Sequence, residues 1–229
     1  AAFMRHLRTT GRIAPGDKVY FGQDLRPSSA ELAAKCMAAT EDEGLVPIDC
    51  GALPTPALAL FAMSRGAASI MITGSHIPAD RNGVKFYRPD GEIDKNDEAA
   101  ISALVGSYTA SAMRPAPHHR PPVEHDLAVA EFIRRYQGLL PAGALKGQRI
   151  GVYEHSTVIR DMFSAILAPT GAEIIPLGRS DTFVPVDTEA VSDQTRARIR
   201  AWTNRYRLDA VVSADGDADR PLLADETGE

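Results

Sequence analysis

The chain has 229 residues, a formal net charge of −5 and 44% hydrophobic residues, which suits a globular fold of one large domain or two of roughly 110 residues each. The mild acidity and the lack of a long basic run argue against nucleic acid as a partner. No apolar run approaches the ~18–20 residues that span a bilayer, so no membrane association is expected. The opening stretch from Ala1 to Arg12 carries Arg5, Arg8 and Arg12 without an apolar segment and does not read as a secretory signal.

In chain order, Lys18–Gln23 reads as a strand, and Pro27 pre-sets the start of a helix. Ser28 and Glu31 have capping-box spacing ahead of Leu32, Ala33, Ala34 and Met37, and Gly44 closes that helix. Leu45–Ile48 is the next strand, Thr55 to about Arg65 a helix, and Ser69–Thr73 a continuous apolar strand running into Gly74-Ser75-His76. Val84–Tyr87 reads as a strand, Pro89-Asp90-Gly91 as a turn and Asp94–Tyr108 as a helix. Met113 to His125 is rich in proline and reads as an extended linker, with His118 and His119 as a solvated pair. Beyond it come a helix over Leu127–Leu139, a strand over Arg149–Tyr153, a helix over Val158–Leu167 and a strand over Glu173–Leu177. A helix over Val191–Arg207 carries the only Trp, Trp202; strands Asp209–Ser213 and Pro221–Leu223 follow.

Strand–helix alternation on both sides of the linker predicts an α/β protein of two consecutive domains, 1–113 and 126–229, joined by residues 114–125. The last residues, Ala224–Glu229, read as half of a hairpin turn, as in a piece of a longer protein. Cys36 and Cys50 have neither CxxC nor metal-ligand spacing, so a reduced, cytoplasmic setting is expected.

Asp215-Gly216-Asp217-Ala218-Asp219-Arg220 places three carboxylates on alternate residues at a strand end. Two like charges 4 Å apart repel by about 4 kcal/mol at an effective dielectric of 20, so three are hard to hold ionised without a cation. Hard oxygen donors select Mg²⁺, Ca²⁺ or Mn²⁺ over Zn²⁺. An exposed acidic loop is the competing reading, at even odds for a lone D-x-D-x-D. An EF-hand is disfavoured by Arg220 at the position that requires glycine and by Leu208–Ala214 upstream, which reads as strand rather than helix. Ser75 sits on a turn exposed enough for a nucleophile, although such a loop is more often structural. Lys85 suits general acid/base work if burial lowers its pKa, and a surface lysine is equally compatible with its spacing. Gly22–Ser29 is a strand-to-helix junction where Arg26 and free N–H groups could receive an anion or simply cap the helix.

Taken together, Gly-x-Asp-x-Arg-x-Ser-Ser (Gly22–Ser29), Gly51–Leu58, Thr-Gly-Ser-His-Ile-Pro (Thr73–Pro78), Asn82-Gly83-Val84-Lys85 and Asp215–Arg220 occur in an order that resembles the α-D-phosphohexomutase superfamily, the phosphomannomutase and phosphoglucomutase group. Ile77 departs from the Asn that many relatives carry after Ser-His. The resemblance spans the first domain and most of the second of a four-domain architecture with mixed sheets flanked by helices. It implies a phosphoserine at Ser75 and Mg²⁺ held by Asp215, Asp217, Asp219 and a Ser75 phosphate oxygen. It also implies acid/base work by Lys85, and His76, Arg26 and Arg220 lining the phosphoryl-transfer centre. The expected activity is that of an isomerase moving phosphate between the 6- and 1-positions of a hexose phosphate through a bisphosphorylated sugar. Mannose phosphate is favoured by Thr73–Pro78 and Val184–Glu189, with glucose or glucosamine phosphates as alternatives. A non-catalytic metal- and phosphate-binding fragment is the rival of another class, and a hydrolytic phosphatase is disfavoured because the usual aspartyl nucleophile motif is not seen.

Overall fold

The structure, a computed structural model, describes residues 1–75, 77, 78, 80–105 and 120–229. Its elements in chain order are α1 (Ala2–Thr9), β1 (Lys18–Gln23), α2 (Ser29–Asp42), β2 (Val46–Ala52), α3 (Thr55–Met63), β3 (Ala68–Ile72), β4 (Val84–Arg88), β5 (Gly91–Glu92) and α4 (Lys95–Val105). They continue with α5 (His125–Gln137), β6 (Arg149–Tyr153), α6 (Arg160–Leu167), β7 (Glu173–Leu177), α7 (Asp193–Tyr206), β8 (Ala210–Ala214) and β9 (Pro221–Ala224). Residues 106–119 lie outside the described residues; they take in the first part of the expected linker, 114–119 with His118 and His119, and the end of the helix expected to reach Tyr108.

Two mixed sheets form, ordered β2-β1-β3-β4-β5 and β7-β6-β8-β9. Both follow one plan. A middle strand, β1 or β6, pairs parallel with a neighbour on each side, and an antiparallel strand, β4 or β9, returns beside the last parallel one. Every residue of β3 is buried, because helices cover both faces of the first sheet. Val19, Phe21, Ile70 and Ile72 face α1, α2 and α4, whereas Tyr20 and Met71 point the other way, toward α3 and α5. Helix α5 joins the two halves. Phe132 on it lies in one apolar cluster with Leu58 and Phe61 of α3, Met162 of α6 and Ala214 of β8. Glu124 N donates to Asp49 O and Asp49 N to Pro122 O, so the chain entering α5 runs beside β2.

Local signals explain most element ends. Asp94 Oδ1 accepts from the backbone N–H of Asn96 and Asp97, while the Asp97 carboxylate accepts from Asp94 N, a reciprocal cap at the start of α4. Ser192 caps α7 by accepting from Thr195 N. The capping box expected at Ser28 and Glu31 does not form. Ser28 has helical backbone angles, and its hydroxyl accepts from Asn82 Nδ2 instead. Helix α1 is not evident from the sequence. Its Phe3, Met4 and Leu7 are buried, and the Phe3 ring lies 4.7 Å from that of Phe86.

Candidate active site

The serine turn follows β3, at the carboxyl edge where open α/β sheets present ligands. Ser75 is held at φ +51°, a left-handed conformation rare outside glycine. Its N–H donates to Thr73 Oγ1 at 2.8 Å, and Thr73 Oγ1 in turn donates to the buried carboxylate of Asp24 at 2.9 Å. The preceding Gly74 has no room for a side chain, since a Cβ there would lie 2.7 Å from the Arg26 guanidinium.

The aspartate turn follows β8, at the same edge of the second sheet, and the two turns meet. Ser75 Oγ donates to Asp215 Oδ2 at 2.6 Å across 140 positions of sequence, and Arg220 Nη1 donates to Ser75 Oγ at 3.2 Å. Asp217 is fully buried. Its Oδ2 accepts from Thr55 Oγ1 and Lys85 Nζ, and its backbone oxygen accepts from Thr55 N. Lys85, on β4, also donates to Asp219 Oδ2. One oxygen of each of Asp215, Asp217 and Asp219 lies within 4.8 Å of the others.

These charges are unevenly balanced. Burial foremost, and then the Asp217 and Asp219 carboxylates, push Asp215 up to about 6 against the opposing Ser75 hydrogen bond. Burial would lower Lys85, but Asp217 and Asp219 outweigh it and hold the ammonium above its usual range. The lowered pKa expected for a general base is therefore not found while Lys85 pairs with those two carboxylates. Asp217 Oδ1 is buried and has no hydrogen-bond partner among the described residues. Asp217, with that orphaned oxygen, and the two carboxylates that converge with it make a donor set that fits a hard divalent cation.

Of the residues singled out by sequence, Ser75, Lys85, Asp215, Asp217, Asp219 and Arg220 meet in this cluster, and His76 lies outside the described residues. Arg26 is adjacent, but its side chain is buried and turned into the serine turn. Four further residues take part. Asp24 and Thr55 fall inside motifs visible in the sequence. Glu189, 3.1 Å from Arg220 Nε, and Phe183, whose ring lies 4.3 Å from Arg26 Cζ, come from the segment between β7 and α7; Glu189 ends the Val184–Glu189 run noted in the sequence, but nothing there marks either residue as part of the site.

His155, at the end of β6, has its Nε2 2.8 Å from Ala214 O and so braces the strand that delivers Asp215. Burial pushes its pKa down from 6.5 to about 4. A depressed folded-state pKa means that the unfolded chain binds the extra proton first. Stability from this group is thus present above pH 6.5 and lost as pH falls toward 4. Asp215 is shifted upward and works in the opposite sense over much of the same range, so the net slope is shallow. Urea unfolding in chelator is expected to show wild type losing about 3 kcal/mol relative to His155→Gln between pH 7 and pH 4. Parallel pH profiles for the two proteins would contradict this.

Residues 1–112 match the family model described as phosphoglucomutase/phosphomannomutase, alpha/beta/alpha domain I. A phosphomannomutase of Sinorhizobium fredii (strain NBRC 101917 / NGR234) is 54% identical over 228 residues, covering 99% of this chain and 48% of that protein. A phosphomannomutase of Salmonella muenchen is 46% identical over 209 residues, covering 90% of this chain and 42% of that protein. The crystal structure of a phosphoglucomutase/phosphomannomutase family protein from Burkholderia thailandensis superposes with a TM-score of 0.78 at 21% identity, covering 100% of this chain and 50% of that one. The chain spans about half the length of the curated relatives it matches. The family model, the identity to both relatives and the two-sheet fold lead to one assignment: residues 1–112 are domain I of the phosphoglucomutase/phosphomannomutase family, and the rest of the chain aligns with the same relatives.

Proposed function

We propose that this chain is the phosphoserine- and metal-bearing half of a phosphomannomutase that moves phosphate between the 6- and 1-positions of a hexose phosphate. The observation that carries this reading is the 2.6 Å hydrogen bond from Ser75 Oγ to Asp215, inside a triad of converging carboxylates. Domain I over 1–113 and part of domain II over 126–229 would each contribute one turn to the centre, and the family model supports that division by ending at residue 112. The compartment proposed is the cytoplasm. Among the described residues no helix is long and apolar enough to cross a membrane.

Phosphoryl transfer needs alignment and charge neutralisation more than covalent assistance. With phosphate on Ser75, a sugar hydroxyl gives up its proton and its oxygen bonds to phosphorus as the bond from phosphorus to Ser75 Oγ breaks. The bisphosphorylated sugar then turns over, and its other phosphate returns to the Ser75 oxygen by the same exchange. Arg220, within 3.2 Å of that oxygen, neutralises the charge that develops on it. Lys85 reaches the same centre from β4 and, as the neutral amine it can become once Asp217 and Asp219 no longer pair with it, takes the hydroxyl proton and returns it in the reverse exchange, with His76 as a further contributor. Asp215, Asp217 and Asp219, completed by a phosphate oxygen of Ser75, would hold Mg²⁺, which when bound supplies Lewis-acid polarisation of the phosphoryl group.

Incubation with glucose 1,6-bisphosphate and Mg²⁺ is expected to add one phosphoryl group, about 80 Da, that phosphatase removes and that maps to Ser75. Ser75→Ala should take up none. An adduct at another residue, or one that survives in Ser75→Ala, would refute the reading, and a chain that takes up no phosphate would favour a non-catalytic binding module.

A further inference from the structure

We propose that Arg26 is a positioning residue that builds the Ser75 turn, held in place by Asp24 and Phe183, rather than a ligand for substrate phosphate. This rests on Ser75 as the phosphoryl carrier. A guanidinium has five N–H donors in a planar fork. All five are used inside the chain. Nε donates to Asp24 Oδ2 at 3.0 Å, Nη2 to Ser75 O at 2.9 Å and Ile77 O at 2.7 Å, and Nη1 to Pro78 O at 2.7 Å and Arg81 O at 3.1 Å. Four carbonyls of one loop thus converge on one cation, and none of its donors is left for an incoming anion.

The anchor behind it is equally committed. Asp24 is buried and accepts from Arg26 Nε and backbone N, Ser29 Oγ, Thr73 Oγ1 and Gly74 N. It therefore ties Arg26 to the residues that immediately precede Ser75. Phe183 lies over the guanidinium, so the segment between β7 and α7 closes the clamp from the second sheet. Gly74 completes the case from the opposite direction, because any side chain there would displace the guanidinium. The left-handed Ser75 backbone is the conformation this clamp imposes, and it aims Oγ at Asp215 and Arg220. The two arginines then divide the work: Arg220 touches the reacting oxygen, and Arg26 places it.

A lysine keeps the charge of Arg26 but cannot reach Asp24 and four carbonyls together. Arg26→Lys and the milder Phe183→Leu separate the two roles. Initial rates of phosphoryl uptake by Ser75 would be followed by intact mass against glucose 1,6-bisphosphate concentration, at saturating Mg²⁺. In parallel, amide hydrogen exchange would be measured on peptides spanning the serine turn. Arg26→Lys is expected to lower the maximal rate by about 10- to 100-fold while the half-saturating bisphosphate concentration stays within about threefold, since a misaimed nucleophile costs rate rather than binding. Exchange in the turn should quicken in both variants, more in Arg26→Lys. A tenfold or larger rise in half-saturation at an unchanged maximal rate would mark Arg26 as a phosphate ligand and overturn the proposal. Unaltered exchange in both variants would overturn it as well. Should wild type take up no phosphate, the phosphoserine reading fails separately, and the exchange comparison still decides whether Arg26 builds the turn.

Discussion

Asp217→Asn is expected to abolish the stabilisation that Mg²⁺ gives this chain and to lower phosphoryl uptake on Ser75 about 10²- to 10³-fold. The reasoning starts from the two oxygens of Asp217. One accepts from Thr55 Oγ1 and Lys85 Nζ, and the other is buried with no partner among the described residues. An asparagine can keep its carbonyl oxygen toward Thr55 and Lys85 and turn its NH₂ into the place of the orphaned oxygen. The change takes away an anionic ligand and part of the repulsion among the three acids. The metal-free variant should therefore unfold at the same temperature as wild type or higher. Wild type should gain about 2.7 kcal/mol at Mg²⁺ one hundred times its dissociation constant, and the variant nothing. Thermal melts with and without Mg²⁺ read both effects. Asp219→Asn is the internal comparison: its side chain is 29% exposed, and a reduced but measurable Mg²⁺ shift is expected. A full Mg²⁺ shift in Asp217→Asn would mean that the triad does not hold the cation.

The residues that announce themselves in the sequence are those whose chemistry is local. Three carboxylates within five positions cannot avoid one another, so Asp215–Asp219 declares a charge problem before any fold is known. Strands β1 and β6 coincide with the apolar runs expected at Lys18–Gln23 and Arg149–Tyr153, because burial on both faces leaves a continuous pattern, and the edge strand β7 matches Glu173–Leu177 although only Leu177 in it is buried. What escaped was set by tertiary contacts. In α1, Arg5, Arg8 and flanking polar residues mask a three-residue apolar stripe that has meaning only against α4 and Phe86. The helix start at Ser28 has the right spacing for a capping box, but the serine loop competes for its hydroxyl through Asn82. Arg26 shows the same limit at the site. A motif reveals that a guanidinium stands near a strand end, and only the fold reveals that its donors turn toward loop carbonyls. Glu189 and Phe183 reach the centre from a segment whose sequence carries no turn, cap or charge cluster pointing there.

Phe132→Ala is expected to cost about 3–5 kcal/mol, a large share of the roughly 5–15 kcal/mol that holds a typical domain together. Phe132 is buried on α5, edge-on to Tyr136 with ring centroids 4.8 Å apart, in a cluster that reaches from Tyr20 and Phe61 on the first sheet side to Met162 and Ala214 on the second. Truncation leaves a cavity between the sheets rather than within one of them. The two halves should accordingly lose stability together, and each carries its own reporter. Trp202 lies in the separate apolar cluster of the second sheet, whereas Cys50 is fully buried beside Tyr20 in the first. Burial pushes the Cys50 thiol up to about 12, so near pH 8 it should react with a thiol reagent only when that half opens. In urea, Trp202 emission and Cys50 labelling (resolved from Cys36 by peptide mass) should shift to lower midpoints by equal amounts. A shift in Trp202 alone would show that the first half stands without the second. The bond from Ser75 to Asp215 would then join independently stable bodies, and the catalytic geometry would depend on that bond and its neighbours instead of on the shared core.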